Sequence, residues 1–222
     1  MEVGKFLTDF NVNVILVFRR PDDYIRSLYQ ERVMRAARPL PPFQKFYQTN
    51  PKGLEYHLNA RLFKEVFPNL TCLIYEDLAV ENGFFTNFFR TMGVDVSDLN
   101  SVGVVRKSLS PAETMVKNFA NRYLENRDAG KIFLSWMRKP QIVERIKDAY
   151  GDTEYALWPS HAARQEFCES RQEDLEKLRR NFFPDRERLF PELREEETAP
   201  QVPPLPEELK RMVLDYFGRK AE

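Results

Sequence analysis

The sequence has few cysteine and histidine residues, which form the disulfide bonds and metal sites of small proteins. Its only cysteines, Cys72 and Cys168, are far apart, there is no C-x-x-C motif, and neither of the 2 histidines lies nearby at metal-ligand spacing. This pattern predicts neither a disulfide framework nor a metal site. Long apolar runs are also missing, because the longest, residues 14–18, is far too short to cross a bilayer. Residues 1–9 lack the apolar segment of a signal peptide. We therefore expect a soluble, cytoplasmic protein without a membrane partner.

An excess of charge of either sign is absent as well. The chain has 34 basic and 34 acidic residues and a formal net charge of +0, which argues against general attraction to nucleic acid or to anionic lipid. A site for an anion must then be local. The stretch from Arg19 to Lys45 is one such place, since it holds more basic than acidic residues, although a solvated helix face would give the same pattern.

The composition that remains is that of a folded α/β protein. Of the 222 residues 42% are hydrophobic, and 13% are aromatic with 18 Phe among them, which is enough for one large domain with several helices. We place this domain at residues 1–191. A charged, Pro-rich stretch at 192–206 has the composition of a linker. Residues 207–222 form a terminal helix, which could dock on a partner but more simply packs on its own domain.

The first part of the chain predicts a strand, a tight turn and a helix. Residues 12–18 are nearly all apolar and β-branched, which is typical of a strand covered on both faces of a parallel sheet. Pro21 suits the first turn of a helix, and Asp22 and Asp23 favour its positive end. A second helix at 54–66 and a short strand at 70–75 follow, so the β–α–β order predicts a parallel sheet.

The rest of the chain predicts helices. A Phe-rich stripe at 84–92 ends at Gly93, Ser110 and Pro111 begin a helix with Glu113 completing a capping box, and further helices cover 141–150 and 162–182. Trp136 and Trp158 are most simply core residues, although they could line an acceptor pocket.

Candidate site residues stand at the predicted strand ends. Ligands of parallel α/β sheets bind beyond the carboxyl ends of the strands, where Arg19 and Tyr75 stand. Arg19 offers a planar fork of donors to a phosphate, and Ser27 follows on the next helix. Glu76 and Asp77 could be paired acid–base carboxylates, but helix capping is the simpler interpretation. His57 on the second helix is interpreted as structural.

Residues 14–29 (VILVFRRPDDYIRSLY) resemble the 3′-phosphate-binding segment of sulfotransferases that use 3′-phosphoadenosine 5′-phosphosulfate (PAPS), and the bacterial carbohydrate-type branch in particular. The resemblance implies that Arg19 and Ser27 bind the 3′-phosphate. YEDL at 75–78 resembles the next strand end and implies that Tyr75 lies near the adenine. RKSLSP at 106–111 resembles the segment that closes over the nucleotide and implies phosphate contacts from Arg106 and Lys107. RNFFPD at 180–185, through Phe190, resembles the C-terminal ending of the family.

The resemblance implies a P-loop-NTPase-like sulfotransferase fold with a short parallel sheet and a largely helical C-terminal half. Its cofactor would be PAPS or the product 3′-phosphoadenosine 5′-phosphate (PAP), without a metal, and its acceptor a hydroxyl compound such as a carbohydrate. The family begins with a strand and a Gly-rich loop that holds the 5′-phosphosulfate. Gly4-Lys5-Phe6 does not match that loop, so we expect the N-terminal strand and loop to be missing.

The sequence leaves two alternative functions open. The chain could be a remnant that binds 3′,5′-bisphosphorylated adenosine, or a partner protein, without transferring anything. A nucleoside or nucleotide kinase would share the strand-to-helix layout, but it predicts a Walker loop that the sequence does not contain. A chain that lacks one edge of its sheet could also pair there with a second copy.

Overall fold

The computed structural model describes residues 10–49, 52–80, 83–96, 108–193 and 199–219. The chain divides into two compact units. The first contains residues 1–24, 51–103 and 166–193, and the second contains residues 25–50, 104–165 and 194–222. The single domain predicted over residues 1–191 stays a prediction. Each unit brings together three separate stretches of chain, a grouping that composition and local pattern do not reveal.

Two strands and a series of helices make up the described residues. The strands are β1 (Asn13–Phe18) and β2 (Asn69–Ile74). The helices, in chain order, are α1 (Pro21–Arg35), α2 (Phe43–Gln48), α3 (Tyr56–Val66), α4 (Tyr75–Leu78), α5 (Gly83–Thr91), α6 (Pro111–Ala120), α7 (Arg127–Met137), α8 (Pro140–Tyr150), α9 (His161–Glu169), α10 (Gln172–Phe182) and α11 (Glu207–Tyr216). A 3₁₀ turn, Lys52–Leu54, precedes α3. The chain is thus α/β with a small sheet and a mostly helical second half, as predicted.

The sheet of the first unit is parallel, which confirms the prediction from the β–α–β order. β1 pairs with β2 in a register that runs from Asn13 opposite Asn69 to Phe18 opposite Ile74. α3 contacts both strands, and α10 packs on α3. In each strand only the last residue is fully buried, namely Phe18 in β1 and Ile74 in β2.

The rest of β1 is less covered than its apolar sequence predicts, and Val17 is 36% exposed. The physical reason is the size of the sheet. With two strands in the described chain, each strand is an edge and has a neighbour on one side only. The apolar run predicted the strand correctly, but it overestimated how much of the strand is covered.

The structure differs from two of the helix predictions. In α5 the Phe stripe is half-buried instead of forming a sealed core, and Phe85 is 63% exposed. Gly93 follows α5 with a φ of +73°, the left-handed conformation that favours glycine at the end of a helix. The single helix predicted at 162–182 is divided into α9 and α10, because the chain turns where the Arg171 N–H donates to the Cys168 carbonyl.

The second unit is a helical core closed by the terminal helix. α11 packs on α6 and α8 and buries Leu209, Met212 and Val213, so the expectation that it packs on its own domain is confirmed. Part of the predicted linker is also attached, since the Val202 N–H donates to the Ala156 carbonyl at 2.8 Å. Val202 and Leu205 are buried there.

Local sequence signals predicted the start of α6 and the core position of Trp158, but they did not predict α2 (Phe43–Gln48) or α7 (Arg127–Met137). The predicted capping box is present at the start of α6, where the Glu113 N–H donates to Ser110 Oγ at 3.2 Å and the Ser110 N–H donates to Glu113 Oε2 at 2.6 Å. Trp158 is a core residue, as expected, and meets Phe43 edge-on at 5.0 Å between ring centroids. Trp136 is half-buried against Tyr216.

A buried lysine binds the carbonyl groups at the C-terminal end of α1. Lys117 is fully buried, and its ammonium donates to the Val33 and Ala36 carbonyls at 3.3 and 3.4 Å and to Asn121 Oδ1. These carbonyls are acceptors that the last turn of a helix cannot satisfy internally. Burial lowers the pKa of Lys117 to about 8. A cation at the negative end of α1 thus replaces a conventional cap.

Among the described helices, none combines the length and the apolar character that crossing a bilayer requires.

Candidate functional site

The ends of the two strands bring Arg19 and Tyr75 into contact. Phe18 and Ile74 are paired at the end of the parallel ladder, so the next residue on each strand leaves the sheet at the same edge. The Arg19 guanidinium carbon lies over the Tyr75 ring, 4.7 Å from its centroid. A cation over an aromatic face is attracted by the negative face of the ring. Two predicted site residues, 56 positions apart in the sequence, therefore form one surface.

The main chain at this point is held by side chains from two other elements. The Tyr56 hydroxyl, at the start of α3, donates to the Arg19 carbonyl at 2.8 Å. The Arg20 N–H donates to Glu76 Oε1, in α4, at 2.9 Å. Tyr56 is 3% exposed, and its ring packs on Phe18 at 5.1 Å between centroids. Sequence analysis missed Tyr56, since nothing in the local pattern connects it to β1.

Arg20 belongs to the start of α1. Its guanidinium pairs with Asp22 at 2.9 Å and with Asp23 at 3.1 Å, and the Asp22 side chain is fully buried. Burial lowers the pKa of Arg20 while the two carboxylates raise it, and the net direction is upward. Both carboxylates lie in the first turn of α1, where the helix dipole favours negative charge. Arg20 therefore stabilises the turn and contributes little charge to the site edge.

Glu76 and Asp77 do not form an acid–base pair, because each has its own partner. Glu76 accepts from the Arg20 N–H, and Asp77 forms an ion pair with Arg186. The helix cap predicted as their role is not observed either, since α4 has no side-chain hydrogen bond at its N-terminus. Each carboxylate joins segments that are distant in the sequence.

The Glu76 carboxyl group is partly withdrawn from water. Its Oε2 atom is buried and has no hydrogen-bond partner among the described residues. The pKa of Glu76 is raised, first by burial and less by Asp23, while hydrogen bonds from main-chain N–H groups and the charge of Arg19 oppose the shift. A carboxyl group with one buried oxygen and a raised pKa binds a proton more readily than an exposed glutamate.

An aromatic row extends the site away from Arg19. Tyr75 stacks on Phe84 with 5.2 Å between centroids and a 29° angle between the rings. Phe84 stacks on Phe88 at 5.7 Å and 12°. Half-buried rings beside a guanidinium offer the two surfaces that a nucleotide requires, an apolar face for the base and a donor for the phosphate.

The segment after α10 also reaches this edge. Arg186 pairs with Asp77 and lies over the Phe183 ring, 5.8 Å from its centroid. The C-terminal segment that carries part of the sequence resemblance is therefore connected to the end of β2. The contact spans 109 residues, and no local signal in the sequence predicts it.

The other predicted site residues are placed less directly. Ser27 is half-buried in α1, in the part of that helix that belongs to the second unit. Arg106 and Lys107 lie outside the described residues. His57 has structural contacts, as expected. Its main-chain N–H donates to Asp174 Oδ2 at 3.2 Å, and its ring Nε2 lies 2.8 Å from Asn181 Nδ2.

Two further features define the chemistry of the described chain. No group of three potential metal ligands occurs in the residues that the structure describes. Cys72 and Cys168 are free thiols, and burial raises their pKa to about 11 and about 12. Thiols with such pKa values are poor nucleophiles at neutral pH.

Comparisons with protein-family models, with curated proteins and with solved structures gave no match to this chain.

Proposed function

We propose that this chain is a sulfotransferase-like protein that binds the 3′-phosphoadenosine part of PAPS and serves transfer of a sulfuryl group to a hydroxyl acceptor of the carbohydrate class. The observation that supports it best is the contact between Arg19 and Tyr75 at the carboxyl ends of two parallel strands. In parallel α/β sheets this is the edge at which nucleotides bind.

The Arg19 guanidinium suits a phosphate in this position. Its central carbon lies 4.7 Å from the centroid of the Tyr75 ring. The N–H donors of a guanidinium lie in its plane, where phosphate oxygens can accept from two of them. α1 begins directly after Arg19 and Arg20, so its first main-chain N–H groups lie near the same strand end, in a turn that already contains the carboxylates of Asp22 and Asp23. The sequence resemblance also implies a hydroxyl donor at Ser27, further along α1.

The nucleotide, when bound, supplies the sulfuryl group that passes to the acceptor oxygen. Arg19 acts at a distance from that sulfur, by anchoring the 3′-phosphate. Such remote binding energy accelerates transfer by fixing the reactants in an in-line arrangement. No residue of the chain is assigned to the acceptor proton.

A second function, binding without transfer, is favoured by one sequence observation. The 222 residues contain no Gly-rich loop with Lys and Ser or Thr, which would hold the 5′-phosphosulfate. In that case the chain binds 3′,5′-bisphosphorylated adenosine through the same Arg19–Tyr75 edge. The two functions share the binding site and differ only in the transfer step.

Isothermal titration calorimetry with PAP tests the shared site. We expect Arg19→Ala to weaken PAP binding at least tenfold, since a charged hydrogen-bonding group contributes about 1.5–3 kcal/mol. Arg61→Ala is the matched control, because Arg61 is an exposed arginine on α3 whose side chain is 58% accessible. Absence of PAP binding above millimolar affinity, or equal affinity of the Arg19→Ala and wild-type chains, would refute the site.

Transfer is tested separately with radiolabelled PAPS and a panel of carbohydrate acceptors. Label in the acceptor that disappears in Arg19→Ala supports the sulfotransferase activity. Binding of PAP without any labelled product supports the binding function instead. ATP serves as a third ligand, because a kinase would bind it in preference to PAP.

A further inference from the structure

One peptide group at the site edge is held on both sides by side chains. The carbonyl of Arg19 and the N–H of Arg20 belong to the same planar peptide. The carbonyl accepts from the Tyr56 hydroxyl at 2.8 Å, and the N–H donates to Glu76 Oε1 at 2.9 Å. Two side chains from different elements therefore fix the orientation of a single plane.

The orientation of this plane matters for the Arg19 side chain. Rotation of a peptide plane changes ψ of the residue before it and φ of the residue after it. Arg19 stands between β1 and α1, where neither the ladder nor the helix restrains that rotation. Its guanidinium nevertheless lies over Tyr75, the residue directly before Glu76. The two hydrogen bonds supply the restraint that regular secondary structure does not provide here.

We propose that Tyr56 and Glu76 are positioning residues that hold the Arg19–Arg20 peptide and thereby direct the Arg19 guanidinium toward a nucleotide 3′-phosphate. The inference rests on the proposed function for the identity of the phosphate. It adds that discrimination between a 3′-phosphorylated nucleotide and one without that group depends on two residues that do not themselves contact the phosphate.

The surroundings of both residues suit this role. Tyr56 is buried, and its ring is packed by Phe18 and by Tyr24, with 5.1 and 6.2 Å between centroids. Burial, followed by the neighbouring Tyr24, Glu76 and Asp22, raises the pKa of Tyr56 well above its ordinary value, although Arg19 opposes this. The hydroxyl therefore keeps its proton and remains a donor at physiological pH.

Conservative substitutions separate the hydrogen bonds from the packing. Tyr56→Phe removes one hydroxyl and keeps the ring. Glu76→Ala removes the acceptor, whereas Glu76→Gln keeps an acceptor oxygen for the Arg20 N–H. Tyr155→Phe is the matched control, because the Tyr155 hydroxyl donates to the Tyr150 carbonyl at 3.2 Å in the second unit.

The first measurement compares PAP with adenosine 5′-monophosphate (AMP) by calorimetry. We expect Tyr56→Phe and Glu76→Ala each to weaken PAP binding about fivefold, because an Arg19 guanidinium that is no longer oriented loses part of its hydrogen bonding to the phosphate. AMP binding should stay unchanged, because AMP has no 3′-phosphate. Glu76→Gln should bind PAP at least as tightly as the wild type, and Tyr155→Phe should behave as the wild type.

The second measurement needs no ligand. In the free protein, nuclear magnetic resonance should show the Arg19 side-chain protons shifted by the ring current of Tyr75. We expect that shift in the wild type, in Glu76→Gln and in Tyr155→Phe, and its loss in Tyr56→Phe and Glu76→Ala. Thermal unfolding shows whether each variant is folded.

The outcomes distinguish this inference from the proposed function. If the wild type binds PAP but Tyr56→Phe and Glu76→Ala keep both the Arg19 shift and the PAP-to-AMP ratio, the positioning role is refuted and the function stands. If the wild type binds no PAP, the function is refuted, and the Arg19 shift alone decides whether Tyr56 and Glu76 orient that side chain.

Discussion

Replacement of Lys117 by methionine tests the most unusual electrostatic feature of the second unit. Lys117 is fully buried at the end of α1, and Val33 O, Ala36 O and Asn121 Oδ1 accept from its ammonium. Methionine has a similar length and no charge. Lys117→Met therefore removes the proton-binding group and the hydrogen bonds of its ammonium. The Val33 carbonyl still accepts from Asn121 Nδ2 at 3.0 Å, but the Ala36 carbonyl and Asn121 Oδ1 lose the lysine donor, a cost that does not depend on pH.

The magnitude follows from the pKa of Lys117. Burial lowers it from 10.5 to about 8, which corresponds to about 3 kcal/mol of unfavourable free energy for the buried charge at neutral pH. Between pH 8 and 10.5 the unfolded chain binds more protons than the folded chain, so this contribution to stability rises with pH. From pH 7 to pH 10 the wild type should gain about 2–3 kcal/mol relative to Lys117→Met.

Other groups titrate in the same range, so the difference between variants is the quantity to measure. The Cys72 and Cys168 thiols, whose pKa values burial raises from 9.0 to about 11 and about 12, lower the stability of both proteins as the pH rises above about 9. Subtracting the Lys117→Met curve removes this common effect.

Urea unfolding followed by circular dichroism at several pH values gives the two curves. Lys131→Met is the control, because the Lys131 side chain is 78% exposed and the substitution leaves no buried acceptor behind. A difference between the wild type and Lys117→Met that stays constant or falls from pH 7 to pH 10 contradicts the burial of a charged lysine at this position.

Three further predictions concern single positions. Ser110→Ala removes the capping box of α6 and should lower the free energy of unfolding by about 1 kcal/mol in urea titrations, whereas an intact stability argues against the cap. Gly53→Ala places a methyl group 2.6 Å from the Tyr24 hydroxyl and should destabilise the fold by about 1–2 kcal/mol, with recovery when Tyr24→Phe is combined with it. The raised pKa of Glu76 predicts that PAP affinity falls severalfold as this group ionises with rising pH, and that Glu76→Gln lacks this part of the profile when measured by calorimetry. Identical pH profiles for Glu76→Gln and the wild type would exclude an effect of the Glu76 charge.

Local signals in the sequence were sufficient for the elements that carry the site. The β-branched run before Arg19 and the proline after Arg20 predicted the strand and helix, and the second apolar run predicted a parallel partner. The rule that ligands bind beyond the carboxyl ends of parallel strands singled out Arg19 and Tyr75, and the structure brings the two side chains into contact. These features depend on residues adjacent in the sequence or on a general rule of topology.

The contacts that orient the site could not be predicted in this way. Tyr56 and Glu76 reach the Arg19–Arg20 peptide from 37 and 56 residues away, and neither has a spacing or a composition that indicates it. The acidic pair Glu76-Asp77 is typical of a helix cap. In the folded chain, however, Glu76 accepts from the Arg20 main-chain N–H, and α4 has no side-chain cap. The break between α9 and α10 has no proline or glycine to mark it.

The charges near Arg19 indicate why the orientation of its guanidinium matters for the proposed binding of a phosphate. The sequence predicted a basic stretch, but Arg20 is neutralised by Asp22 and Asp23, and Arg35 pairs with Glu31. A general excess of positive potential is therefore not what the first turn of α1 offers to an anion. In the proposed function, selectivity for a phosphate comes from the planar donors of Arg19, whose contribution depends on their direction. This is the physical reason that the two hydrogen bonds to the Arg19–Arg20 peptide matter more to the proposed site than the count of basic residues around it.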